Sequence, residues 1–144
     1  NVKYLDELLC ASILHDRSRF FLGHLPTDVM HRKIMKKVGL EKDFQDRVME
    51  IISTHSEFEQ SEPFKTEKTI LFLADKAEYA NWDRAEIALK TMPVWMANWY
   101  KKKWLQKIDK VEQKVMEYEQ QYPMFISIFE RNLNRTNEKV KEIN

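Results

Sequence analysis

The sequence predicts an all-α protein, a bundle of five to seven helices. Three observations carry this expectation. The chain has 2 Gly and 4 Pro in 144 residues, too few for the tight turns that a multi-stranded sheet needs. Apolar residues recur at spacings of three and four in segment after segment, the signature of amphipathic helices. Cap and stop residues stand between those segments. At this length one domain can bury roughly two thirds of its unfolded surface, so the chain can fold without staples.

Each element follows from its own pattern. Leu5, Leu8, Leu9, Ser12 and Ile13 share one helical face, and the segment ends at His15-Asp16. Residues 17–26 contain Gly23 and Pro26 and read as a loop. Thr27 is a good N-cap, with Asp28 in the first turn, for a helix to about Val38. Gly39 is placed to stop it. Phe44, Val48, Ile51, Ile52 and His55 line the next helix. Ser61-Glu62-Pro63 breaks the chain, and Thr66 or Thr69 starts a helix holding Ile70 to Asp75. Asp83 is the expected cap of a further short helix. Pro93 then opens a long helix of about eight turns that should run to Tyr122, before Pro123. Phe125, Ile128, Phe129 and Leu133 form a last amphipathic piece. The expected organisation is one domain over residues 1–134 and a polar, fraying tail over 135–144.

Composition excludes several classes. One Cys rules out a disulfide framework and a Cys-based zinc cluster, which fits a reducing, cytoplasmic setting. A Gly-rich phosphate loop cannot exist here. Lys+Arg 24 against Asp+Glu 23 leaves a net charge of +1, so no global field draws the chain to nucleic acid. The longest apolar run, Ile70–Ala74, is far short of a membrane span. The stretch Leu8–Leu14 is flanked by Asp6, Glu7 and His15-Asp16, unlike a signal peptide. The basic turn Lys101-Lys102-Lys103 reads as a solvated face rather than a specific nucleic-acid surface. Trp95 and Trp99, with Met92 and Met96, read as core or dimer packing. The aromatic content of residues 91–122 exceeds what one small domain buries, which predicts a homodimer.

The chemistry gathers at the histidines. His15, His24, His31 and His55 all lie in the first 55 residues. His15-Asp16 offers a neutral imidazole and a carboxylate side by side, one N and one O ligand for a divalent metal. Read by itself, the pair is equally a His favoured by a helix C-terminus beside a turn-starting Asp. Asp75 follows five apolar residues on a helix expected to be buried. A buried carboxylate needs a metal or a partner, and Lys68 and Lys76 are the candidate partners. His55 on an apolar face and His31 near a helix start are either ligands or ordinary residues of the core and surface.

Taken in order, His15-Asp16, His31, His55 and Asp75 give the pattern HD, H, H, D along a helical chain. The segments LCASILHD (9–16) and TILFLADKAEY (69–79) resemble the HD-domain metal-dependent phosphohydrolases over roughly residues 5–90. Within HDRSRFFLGHLPTDV, Ser18, Gly23, Leu25, Pro26 and Thr27 match the bacterial 5′-deoxynucleotidase branch. Arg19 and His24 stand where that branch carries acids. Ser18-Arg19 after the dyad also matches the dinucleoside polyphosphate hydrolases and related members with a second metal. The resemblance implies an HD-like helical bundle and a first ligand His upstream. None precedes His15 here, so either an N-terminal helix carrying it is missing or the member is degenerate.

What the resemblance implies is metal-dependent hydrolysis of phosphate esters, nucleotides or related compounds. Its cofactor is a divalent metal (Mn, Co, Mg, Fe or Zn), held by His15, Asp16 and Asp75, with His31 and His55 on a second metal or donating a proton to the leaving oxygen. Arg19 would neutralise phosphoryl charge. The competing readings are a catalytically degenerate binding or scaffolding domain of the same fold and a helical interaction module built on residues 91–122.

Overall fold

The computed structural model describes residues 2–15, 27–53 and 62–143. Seven helices and no strand occur among them: α1 (Leu5–Leu14), α2 (Thr27–Lys37), α3 (Lys42–Ser53), α4 (Lys65–Tyr79), α5 (Trp82–Thr91), α6 (Val94–Met116) and α7 (Pro123–Ile143). The all-α class is as the sequence predicts. None of these helices is long and apolar enough to cross a membrane. The chain divides into two compact units, Asn1–Phe72 and Leu73–Asn144. The division falls inside α4, so that helix serves both.

In the N-terminal unit, α3 packs against α1 and α2. The core of this unit is built from Leu8, Ala11 and Leu14 of α1, Met35 of α2, Val48, Met49, Ile51 and Ile52 of α3, and Leu71 of α4. The α3 stripe is as expected from its spacing, but the α1 face is not: of Leu5, Leu8, Leu9, Ser12 and Ile13 only Leu8 is buried, and the helix turns Ala11 and Leu14 inward instead. Gly39 ends α2 in the left-handed region, at φ 80°. Its N–H donates to the Lys36 carbonyl at 3.1 Å, and the Leu40 N–H donates to Met35 at the same length. This is a Schellman ending, which satisfies carbonyls that the last turn would leave bare. The start of α1 is held from a distance in sequence. The buried Glu67 carboxylate accepts the backbone N–H groups of Lys3 at 3.0 Å and Tyr4 at 3.1 Å. Beside it the Tyr4 ring meets Phe64 edge-on, with centroids 4.8 Å apart.

In the C-terminal unit, α5 packs on α6 and α7. Trp104, Ile108, Val111 and Val115 form the buried stripe of α6, and Ile126, Phe129, Leu133 and Thr136 that of α7. Three expectations change. Asn81, not Asp83, caps α5: its side chain accepts the Asp83 N–H at 3.0 Å. The Asp83 carboxylate pairs instead with Arg135 at 2.8 Å. The long helix is 23 residues and stops at Met116, short of Tyr122. Its last turn tightens where the Val115 carbonyl accepts the Tyr118 N–H, and turns fill the gap to Pro123. Residues 135–143 are not a frayed tail but the end of α7. They stay helical because Thr136 is buried and donates its hydroxyl to the Ala80 carbonyl at 2.7 Å.

Candidate functional site

The N-terminal unit brings two of the predicted ligands together. His15 follows the last turn of α1, and His31 sits one turn into α2. Charge on the His15 imidazole disfavours charge on His31, so the two rings lie within electrostatic range of each other. His15 Nδ1 lies 2.8 Å from the Ser12 carbonyl oxygen. A carbonyl only accepts, so Nδ1 carries the proton. The lone pair of that ring is then on Nε2. An imidazole oriented by a backbone carbonyl in this way is the usual state of a metal-ligating His.

His31 is 1% exposed. Neither of its ring nitrogens has a hydrogen-bond partner among the described residues. Burial pushes its pKa below the ordinary histidine range. The Asp28 carboxylate and the Leu14 backbone oppose this, and His15 adds to it. The ring is therefore neutral at neutral pH, the form that binds metals. A buried nitrogen with no partner costs about 1–3 kcal/mol. A neutral imidazole with both nitrogens unpartnered is compatible in its chemistry with the metal that the HD resemblance implies.

Asp75, in the C-terminal unit, is buried at 6% exposure. Its carboxylate is bonded to the Lys76 ammonium, itself buried. Of the two lysines the sequence offered as partners, Lys76 is joined to it, while Lys68, 1% exposed, is bonded to Glu50 at 2.8 Å. Asp16, Arg19, His24 and His55 lie outside the described residues. Among the described residues no group of three or more His, Cys, Asp or Glu side chains is placed to hold a metal.

Sequence reasoning missed three participants. The Ser12 carbonyl has no side-chain signal at all. Glu50 and Glu67 stand out by no sequence pattern, and only the fold shows that one meets a buried lysine and the other anchors the start of α1. No family model matches the chain, and no curated protein or solved structure matches it.

Proposed function

We propose that the protein is a metal-dependent phosphohydrolase acting on nucleotides or related phosphate esters. The observation that carries the reading is His31: a buried, neutral imidazole with two unpartnered nitrogens, beside a His15 whose tautomer is set by Ser12. His15 and His31 would hold a divalent ion together with Asp16 and His55, their companions in the sequence motif. Asp75 enters from the motif alone. A bound divalent ion supplies a water whose pKa falls toward about 7 and a charge that polarises the phosphoryl oxygens. The protein groups do the rest. Ser12 orients His15. The burial of His31, 1% exposed, keeps solvent from its ring. Arg19, always protonated, would neutralise the charge of a polyphosphate chain.

The second reading, a binding domain of the same fold without catalysis, is favoured by one observation, the Asp75–Lys76 pair. A carboxylate committed to a neighbouring ammonium is a poor ligand. The two readings separate in one experiment. The purified chain is loaded with manganese or cobalt, dialysed, and its metal content measured. It is then assayed for phosphate release from nucleoside mono-, di- and triphosphates and dinucleoside polyphosphates. The enzyme reading expects retained metal, lost in His31→Ala, and turnover weakened in Arg19→Ala. Metal retained without turnover of any substrate selects the binding domain. A chain that retains no metal overturns the enzyme reading and leaves the binding domain.

A further inference from the structure

Helix α6 has two faces, and the outer one is unusual. Trp104, at 3% exposure, donates its indole N–H to the Tyr79 carbonyl at 3.0 Å and belongs to the core with Ile108, Val111 and Val115. Trp95 lies nine residues before it, about 180° around the helix. Trp95 is 72% exposed and Trp99 61% exposed. These two rings are therefore surface groups: of the two readings the sequence left open, core or dimer packing, the core is excluded. One turn separates them, about 6 Å along the axis. The same outer stripe continues through Lys102, Lys103, Gln106 and Lys110, all exposed. None of Lys102, Lys103 and Lys110 is engaged in an ion pair among the described residues. Trp99, Lys103, Gln106, Lys107, Asp109 and Lys110 together form one open, shallow surface along the helix.

We propose that this face binds single-stranded nucleic acid without sequence preference. Exposed aromatic faces and lysines on one stripe are the two parts such surfaces need: bases stack on the rings and phosphates meet the ammonium groups. From Trp95 to Lys110 the stripe runs about 22 Å, the length of roughly six stacked nucleotides. Charge decides against a second copy of the chain, since pairing this face with itself would set lysine against lysine. Geometry decides against a lipid surface. The apolar groups Val94, Trp95 and Trp99 occupy one end only, and burying the rest of the stripe would bury Gln106 and three lysines.

The test is a titration of the full chain with a fluorescein-labelled twelve-residue oligothymidylate at 50 mM salt, read by anisotropy and by tryptophan quenching. Saturable binding is expected, with log K falling against log salt at a slope of about −2 for three phosphates. Trp99→Ala should weaken binding about tenfold. Lys103→Gln with Lys110→Gln should flatten the slope by about 0.7 per lysine. All these side chains are exposed, so unchanged circular dichroism is expected of each variant. Three results overturn the proposal. One is no binding of the oligonucleotide at tens of micromolar protein. Another is binding that both sets of variants leave unchanged. The third is preference for another occupant, seen as a Trp95- and Trp99-dependent blue shift on phosphatidylserine vesicles, or as a dimer in sedimentation that Trp95→Ala/Trp99→Ala dissolves, either without oligonucleotide binding.

Discussion

His31 sets a conflict between stability and ligation that can be measured. Two unpartnered nitrogens in a 1% exposed ring are unfavourable without an ion. His31→Leu keeps an apolar side chain of similar reach and removes both. With metal chelated, the variant should be more stable than the wild type by about 1–2 kcal/mol, a rise of a few degrees in Tm for a chain of this size. In saturating manganese the order should reverse, because only the wild type gains binding energy. Thermal unfolding in both conditions checks this. A variant less stable in both would make His31 a packing residue. Asp75 gives the complementary experiment. A double-mutant cycle over Asp75→Ala and Lys76→Met should return a coupling of about 0.5–3 kcal/mol, with each single variant destabilised. A coupling near zero in urea unfolding would remove the ion pair as the reason for the buried acid. The sequence made Asp75 conspicuous by the apolar run before it. It could not say which lysine would answer, because Lys68 and Lys76 are both within helical reach and the choice depends on where Glu50 of α3 arrives.

Helices were legible wherever a stripe or a stop had a single cause. Gly39 is the clearest instance: a glycine after a periodic segment predicted a left-handed stop, and the backbone takes φ 80° there. An added Cβ would meet nothing within 4 Å, so Gly39→Ala isolates the backbone cost. It should destabilise by about 1–2 kcal/mol, and Gly39→Asn by less, since Asn tolerates this region. Equal losses for the two in urea unfolding would point to some other cause. The ends of α6 and α7 were not legible, for an identifiable reason. Tyr118 and Tyr122 continue the three-and-four spacing of α6, yet they lie beyond it, because spacing alone does not report where backbone bonds shorten to i+3. The polar run after Leu133 looked unable to hold a helix. It is held by Thr136, a polar residue whose hydroxyl reaches the Ala80 carbonyl, a contact across 56 residues that no local pattern announces.

For the molecule as a whole, the alkaline limb of the stability curve is the informative one. Burial raises the Tyr79 phenol to about 12, reinforced by Tyr100 and by the Asp75 carboxylate. The Lys107 ammonium lies 5.4 Å from the ring centroid. In the unfolded chain the same phenol ionises near 10. Between about pH 10 and pH 12 the unfolded state has released this proton and the folded state has kept it. The unfolded state binds fewer protons there, so stability must fall as pH rises through that window. Below pH 10 both states are protonated and the full contribution is present. Other tyrosines and lysines also titrate in this range, but they do so equally in a variant that lacks only this hydroxyl. Tyr79→Phe should therefore lose stability less steeply than the wild type from pH 10 to 12, with the two curves parallel from pH 7 to 9. Urea unfolding across that range measures the slopes, and absorbance at alkaline pH should show the variant missing the latest-ionising phenol. Parallel curves throughout, or a missing phenol that titrates near 10, would mean that Tyr79 is open to water and that the end of α4 is less tightly closed on the middle of α6 than the indole hydrogen bond from Trp104 to the Tyr79 carbonyl indicates.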